Sequence, residues 1–406
     1  MLAYQGEPLN ILHTVGMKEM YPIIRVHFKI LGNFSMNRLK KAVQLVHLVV
    51  PQLFCKYRLA DNAFVPVDDD QNNVVFQNIN PDQDIGSWDL FKDPQWRIYL
   101  NHESNGYDVT IFLSHILTDG AGTKQLLTLL AKAYNTGNLD GVHNHTDIDW
   151  LHDLLNKHPV TVDRKVDHPS QPLSLPSLVE SQAPHRRTGK VDLDQKMAQL
   201  LIKASHQEKV TLNDLFMAAF GQAVQRFCST DRIALACPTD MRQFIPGKFQ
   251  WRVANHTSRY NINVASDLDQ PFEQTVQNVH QAMETNKQSF QCLSSVKTLV
   301  ENYQKGDLKQ LQQITEDNYH VRPISYTNFG IIDSQQLQFV GCQVTDFDML
   351  GSYRRMPMFQ VAVSTFKQQI ILAYAMIGTD EEYHLGNAVT RTMADLLEKN
   401  ALKYGV

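Results

Sequence analysis

A central stretch of the chain, residues 138–188, interrupts an otherwise regular succession of helix and strand patterns. It carries prolines at positions 159, 169, 172, 176 and 184, and its periodicity is confined to one short helical segment, IDWLHDLLNK. Prolines without periodicity are typical of connections rather than of regular elements. We therefore predict two α/β domains, residues 1–137 and 189–406, joined by a crossover linker over 138–188.

Length and charge agree with this division and exclude some classes of function. A chain of 406 residues exceeds the size of most single cores, which stop growing at about 250–300 residues. The 38 Lys+Arg residues are balanced by 42 Asp+Glu residues, so the net charge is −4 and no basic face for nucleic acid is expected. No apolar run reaches the roughly 18 residues of a membrane span, and we expect a cytoplasmic protein without an integral membrane span.

Periodicity in the first half predicts a strand, a helix, a hairpin and a second helix. The strand is YPIIRVHFKIL, and the helix SMNRLKKAVQLVHLVV is opened by Ser35 as its cap. QWRIYLN and YDVTIFLSH flank the turn sequence ESNG, which is a hairpin signal. The second helix is TKQLLTLLAKAY.

The second half mixes helices and strands in the same way. Predicted helices are VDLDQKMAQLLIKASHQEK, TLNDLFMAAFGQAVQRF with Thr211 and Asp214 in capping-box spacing, PFEQTVQNVHQAMETNK and NAVTRTMADLLEKNA. Predicted strands are RIALACP, SRYNINVA, RPISYTNFG, FQVAVSTF and QIILAYAMIG, the last two joined as a hairpin.

The segment SHILTDGAG, residues 114–122, carries the strongest candidate for chemistry. His115 continues the strand face of Val109, Ile111 and Leu113 to the strand end, so its ring is expected where the sheet meets the next loop. Asp119 falls at the cap of the next helix, and Gly120 removes a side chain close to the imidazole. A histidine at a strand end and an aspartate at a helix cap are also common without any catalytic role, so spacing alone leaves both interpretations open.

H-I-L-T-D-G resembles the H-x-x-x-D-G motif of the chloramphenicol acetyltransferase-like superfamily. That superfamily contains thioester-dependent acyltransferases, including alcohol acetyltransferases and the condensation domains of peptide synthetases. VVPQLFCKY, TLNDLFMAAF, PTDMRQFIPGK and SYTNFG follow the order of the family, so the resemblance spans nearly all of the chain. One departure is Ser114, because condensation domains usually carry a second histidine there, and this favours a freestanding acyltransferase.

The resemblance implies both a fold and a mechanism. The fold is α/β (α+β mixed sheets), with two chloramphenicol acetyltransferase-like domains and a tunnel between them. His115 would act as general base in direct transfer of an acyl group from acyl-CoA, a co-substrate, to a hydroxyl acceptor. Asp119 would pair with Arg242 and hold the loop, and Asn328 would supply an amide near the oxyanion or the donor thiol. Residues 115, 119 and 120 are thus the predicted catalytic set, with no bound cofactor.

Other interpretations of these residues stay open. Arg242 can be a solvated loop charge, and Asn328 can be a turn residue before Gly330. Arg354 and Arg355 are candidates for the phosphates of coenzyme A, or simply a solvated face. In HNHTDID, residues 143–149, two histidines and then two aspartates occupy every second position, but without a fixed frame we expect no metal.

Rival functions of the same fold also stay open. An N-acyltransferase would use an amine acceptor, and a condensation enzyme would take its donor from an acyl carrier protein. A non-catalytic member would keep the tunnel as a binding module.

Overall fold

Two five-stranded sheets form the frame of the molecule, which the computed structural model describes over residues 3–68, 73–163, 167–178 and 183–405. Parts of the predicted linker, residues 164–166 and 179–182, lie outside the described residues. The strands are β1 (Tyr4–Gln5), β2 (Ile23–Gly32), β3 (Cys55–Arg58), β4 (Ala63–Pro66), β5 (Val75–Gln77), β6 (Trp96–Glu103), β7 (Gly106–Ser114), β8 (His185–Leu193), β9 (Arg232–Asp240), β10 (Thr257–Ala265), β11 (Ile324–Ile332), β12 (Cys342–Leu350), β13 (Arg354–Arg355), β14 (Phe359–Phe366) and β15 (Gln369–Gly378). The helices are α1 (Met36–Val49), α2 (Pro81–Asp84), α3 (Gly120–Thr136), α4 (Asp149–Lys157), α5 (Gln195–Glu208), α6 (Leu212–Gln225), α7 (Phe272–Gln288), α8 (Ser294–Asn302), α9 (Leu308–Asn318) and α10 (Asp380–Leu402).

The first sheet has the order β12-β2-β7-β6-β5. Its central pair is antiparallel, with Ile23 opposite Ser114, and the predicted β6–β7 hairpin is confirmed. Along β2, Val26 and Phe28 face the core, while Arg25 and His27 lie on the other face. This alternation follows from the two-residue period of a strand, and it brings charged side chains onto one face of the sheet.

Strand β12 of this sheet was not predicted from the sequence. It comes from the second half of the chain and pairs antiparallel with β2, where the register shifts between Thr345 and Asp348. Because of this bulge, Val344 and Phe347 are both buried although they are three residues apart. A bulge adds a residue and so hides the two-residue alternation that marks a strand.

The second sheet has the order β11-β14-β15-β13, and β8 pairs with β15. The predicted β14–β15 hairpin is confirmed. The helix predicted to begin at VDLDQ is wrong at its start, because those first residues finish β8. Asp194 then caps α5 by accepting a hydrogen bond from the amide of Met197 at 2.8 Å, and a cap of this kind sets where a helix begins.

Most of the predicted helices are present, and their N-terminal caps explain where they begin. Ser35 caps α1, and Thr211 with Asp214 forms the capping box of α6. The last helix begins earlier than predicted, since Thr379 and Glu382 form a second capping box ahead of α10. Reciprocal bonds of this kind satisfy two backbone donors that the first turn leaves open.

The predicted mixed α/β fold class is confirmed. Two hydrophobic cores lie on the two sheets, and β12 carries a segment of the second half into the first sheet. The boundaries at 137 and 189 stay a prediction, although β8 already begins at His185. Among the helices in the described ranges, none is both long enough and apolar enough to cross a membrane.

A charged cluster on the polar face of the first sheet ties β2 to its two neighbours. The His27 ring contacts Asp108 of β7 through Nε2 at 2.9 Å and Asp348 of β12 through Nδ1 at 3.0 Å. Arg25 donates to the same Asp348 at 2.9 Å. Burial alone would lower the pKa of His27, but hydrogen bonds to the two carboxylates outweigh it and raise the pKa to about 9.

We predict that this cluster makes stability depend on pH in the alkaline range. The pKa of His27 in the folded protein lies above its unfolded value of about 6.5. The stabilisation that His27 provides is therefore complete below about pH 6.5 and is lost as the pH rises through 9. Wild type should lose roughly 1–3 kcal/mol of unfolding free energy across this interval relative to His27→Gln. Urea unfolding of both proteins at several pH values measures the difference, and parallel profiles would contradict the role of His27.

Candidate functional site

The motif residues lie at a cavity of about 210 Å³ between the two halves of the chain. His115 directly follows β7, and α3 begins at Gly120. The opposite wall comes from β9, β11 and the segment that precedes β14. Residues of both halves therefore meet where the resemblance predicts the tunnel.

The ring of His115 is half-buried and stacks on the ring of His13. The two ring centroids are 3.7 Å apart, with an angle of 21° between the planes. His13 ends the short 3-10 helix Pro8–His13 and is itself buried. Because Nδ1 of His115 is buried without a hydrogen-bond partner in the described residues, Nε2 is the nitrogen available to a substrate.

His115 is neutral at physiological pH. Burial lowers its pKa below the ordinary value of 6.5, while the charge of Asp119 and backbone hydrogen bonding at His115 and Thr118 raise it by less. Burial disfavours the charged form of any base. A neutral imidazole can accept a proton, so the environment leaves His115 competent as a base.

Asp119 is held by three donors. Its Oδ1 accepts from the amide of Gly122 at 2.8 Å, which caps α3. Its Oδ2 accepts from the guanidinium of Arg242 at 2.9 Å and from the amide of His256 at 2.7 Å. Burial would raise the pKa of this carboxyl, but the charge of Arg242 outweighs it and keeps the pKa below its ordinary value. Asp119 is thus an ionised structural partner of Arg242.

Arg242 connects the motif to a loop of the second half, residues 252–256. Its guanidinium donates to the carbonyls of Arg252 at 2.9 Å and Ala254 at 2.8 Å, besides Asp119. In the same loop, Asn255 donates to the carbonyl of His115 at 3.0 Å. The interpretation of Arg242 as a solvated charge is therefore wrong, since its side chain is only 9% exposed. Sequence reasoning missed Asn255, because a single loop asparagine carries no periodic or motif signal.

The structure gives Gly120 a different purpose from the one predicted. A Cβ atom at this position would lie 2.6 Å from the ring of Phe329 on β11. Glycine at position 120 therefore leaves room for the ring of Phe329, rather than for the imidazole of His115. Such close approach is a common reason for glycine.

Asn328 lines the cavity, and its carboxamide is engaged at both ends. Its Nδ2 donates to Oδ1 of Asn213 at 3.1 Å, and its Oδ1 accepts from the amide of Gly330 at 2.8 Å. Gly330 has a φ of +67°, so the turn role is present. A role for Asn328 at the oxyanion stays a prediction.

Arg354 and Arg355 lie in different surroundings. Arg355 pairs with Glu382 at 2.9 Å, whereas Arg354 is buried and lines the cavity. The interpretation of Arg354 as a solvated side chain is therefore wrong, whereas contact of Arg354 with the phosphates of coenzyme A stays a prediction. Within the described residues, no three side chains of His, Cys, Asp or Glu lie together where they could hold a metal ion.

Comparison with known families decides the relationship of this chain. The model of the Condensation domain family matches residues 23–292. The chain belongs to the condensation domain family. Ser114 suggested from the sequence that the chain lies outside the condensation domains, but the family match shows that it does not. Ser114 is fully buried at the end of β7, and the second ring beside His115 comes from His13 instead.

Solved structures give the same fold for this condensation-family chain. The epimerization domain from the third module of tyrocidine synthetase B has a TM-score of 0.66 at 14% identity, over 99% of this chain and 97% of that one. The first condensation domain of the calcium-dependent antibiotic synthetase, in complex with a substrate analogue, has a TM-score of 0.67 at 12% identity, over 99% and 98%. Polyketide synthase associated protein 5 from Mycobacterium tuberculosis has a TM-score of 0.66 at 12% identity, over 97% and 98%. No curated protein sequence matches the chain significantly.

We predict that Asp119 and Arg242 act as one unit. Asp119→Asn and Arg242→Ala should each lower the free energy of unfolding by roughly 3–5 kcal/mol, because Arg242→Ala leaves the buried Asp119 without its charge partner and Asp119→Asn leaves Arg242 with the more exposed Asp240 alone. The double variant should be no worse than the more severe single variant, whereas additive losses would contradict the coupling. Asp61→Asn is the matched control, since it breaks an ion pair that is half exposed, and should change stability little.

We also predict that His13 positions His115. His13→Ala removes the ring against which the imidazole stacks, and a misplaced base should lower kcat roughly 10- to 100-fold. His13→Phe keeps an aromatic ring and should restore most of that loss without changing KM. Steady-state kinetics of both variants test this, and a Phe variant as slow as the Ala variant would argue against stacking as the cause.

Proposed function

We propose that this chain is an acyltransferase that moves an acyl group from an acyl thioester, acyl-CoA, to a hydroxyl acceptor. The observation that carries the proposal is the position of His115, whose imidazole is at the cavity with its pKa lowered by burial. The family assignment agrees with it, because the match covers the motif segment.

The proposed reaction needs one base and no covalent intermediate. Nε2 of His115 takes the proton of the acceptor hydroxyl as the oxygen attacks the thioester carbonyl. The tetrahedral intermediate then breaks its carbon–sulfur bond, and the imidazolium returns the proton to the departing thiolate. The products are an ester and a free thiol, and His115 is neutral again.

Asp119 has a supporting part in this proposal. Its carboxylate is engaged by Arg242 and by backbone amides, so it holds the turn that presents His115 rather than relaying protons. An amide donor near the developing oxyanion would lower the barrier, and Asn328 is the candidate because its carboxamide lines the cavity.

A carrier-protein-dependent condensation reaction is the second candidate function. It is favoured by the match to the Condensation domain model, and it uses the same histidine with an amine acceptor. The two candidates differ in donor and acceptor, not in the base. A non-catalytic binding module is the remaining alternative.

We predict that His115→Ala lowers thiol release by roughly 10²- to 10⁴-fold, which is the usual contribution of a positioned base. Thiol release is measured by absorbance with acyl-CoA and with acyl carrier protein as donors, against alcohols and amines. His152→Ala, an exposed histidine on α4, is the control and should behave as wild type. Turnover only with carrier-bound donors would favour the condensation reaction, and silence of wild type with every donor would favour the binding module.

The pH profile of kcat gives an independent test of the same base. Because burial places the pKa of His115 below 6.5, kcat should stay level at neutral pH and fall only as the pH drops below that value. A profile that already falls between pH 8 and 7 would be incompatible with this histidine as the base.

A further inference from the structure

Arg354 is a cationic side chain inside the cavity and is 4% exposed. It lies on β13, next to β15 in the second sheet. One Nη1 donor is used by the carbonyl of Arg322 at 2.9 Å, and Nε is buried without a hydrogen-bond partner in the described residues. The guanidinium therefore keeps donors that the surrounding chain does not use.

Three other buried arginines of this chain each have a carboxylate. Arg25 pairs with Asp348 at 2.9 Å, Arg242 pairs with Asp119 at 2.9 Å, and Arg259 pairs with Asp167. For Arg354, no carboxylate within the described part of the chain is at ion-pair distance. Burial is the cause that lowers its pKa to about 10, so the side chain is still charged at neutral pH.

An uncompensated charge in a protein interior is costly, so it calls for a partner. The lining of the cavity as a whole has the same sign: Arg259 is balanced by Asp167, and Lys124, Arg322 and Arg354 remain against the two carboxylates Asp119 and Asp240. Both carboxylates already contact Arg242. The cavity is thus prepared for a negative group that the described residues do not supply.

We propose that Arg354 binds a carboxylate of the substrate while the reacting group meets His115. This inference rests on the proposed function and names the substrate class for the same cavity. The guanidinium is a planar fork that matches a carboxylate with two parallel hydrogen bonds. The carboxylate belongs either to a hydroxy acid acceptor or to the acyl group of a dicarboxylic donor.

The dimensions of the cavity disfavour the phosphates of coenzyme A as the partner. A volume of about 210 Å³ accommodates a small acid, and both His115 and Arg354 line it. In coenzyme A, the pantetheine arm separates the phosphates from the thiol, so a thioester at His115 leaves the phosphates outside such a cavity. A compact carboxylate is the group that fits.

Binding without turnover tests this inference separately from the reaction. Titration calorimetry measures the Kd of small hydroxy acids (glycolate, lactate and 3-hydroxybutyrate) and of the dicarboxylates succinate and glutarate, each against its neutral amide. The proteins are wild type, Arg354→Gln, Arg354→Lys and the control Arg232→Gln, which alters an arginine at the start of β9 that bonds to Asn263. Binding of hydroxy acids would identify the acceptor as the source of the carboxylate, and binding of dicarboxylates would identify the donor.

We expect at least one acid to bind wild type and Arg232→Gln with the same Kd. In Arg354→Gln the Kd should be roughly 10- to 100-fold higher, because the carboxylate loses a charged hydrogen-bond partner. Arg354→Lys should recover part of the affinity. Equal affinity of acids and amides, equal affinity of wild type and Arg354→Gln, or no binding of any acid would each overturn the inference.

Thermal unfolding of the unliganded proteins distinguishes a ligand-binding arginine from a structural one. Arg354→Gln should melt at the same temperature as wild type or higher, because it removes a buried charge without a carboxylate. A clearly lower melting temperature would make Arg354 structural and overturn the inference. The same titrations in His115→Ala separate the two proposals, since acids should still bind there even if wild type transfers no acyl group.

Discussion

The ion pair between Asp119 and Arg242 is the interaction on which the site depends. It joins the turn after β7 to a loop of the second half, and both side chains are almost fully buried. Burying two charges is expensive, and the expense is offset only when the remaining lone pairs and protons also find partners. Here the two backbone amides on Asp119 and the two carbonyls on Arg242 supply those partners. The pair therefore fixes geometry between the halves rather than adding much net stability.

The same pair determines the electrostatics of His115. A lone carboxylate near an imidazole raises its pKa, and the charge of Asp119 acts in that direction. Because Arg242 balances the carboxylate and Asp119 is turned toward backbone amides, desolvation remains the larger influence on the ring. The result is a neutral base at the cavity, supported by the ring of His13 on one side and by Asn255 on its backbone.

His27 and His115 show that the surroundings can shift the pKa of the same residue type in opposite directions. Both histidines are half-buried, yet the pKa of His27 is raised to about 9 while that of His115 is lowered. The difference lies in direct contact, since His27 bonds two carboxylates at 2.9 and 3.0 Å. Arg354 is a third case, a buried charge with no carboxylate of the described residues at ion-pair distance, and burial lowers its pKa to about 10. Arg354 lines the cavity, where a substrate can supply that carboxylate.

Local sequence patterns were enough to predict the elements with regular periodicity, the β6–β7 and β14–β15 hairpins, and the position of His115 after a strand. Those features depend on neighbours in sequence, so a local pattern can reveal them. The pairing of Asp119 with Arg242 came from resemblance to a family, because 123 residues separate the two. Three features became known only from the folded chain: β12 joins the first sheet, His13 stacks on His115, and Arg354 lines the cavity. A bulge hides the two-residue alternation of β12. The stacking of His13 and the position of Arg354 depend on contacts between segments far apart in the chain, which leave no periodic signal in the sequence.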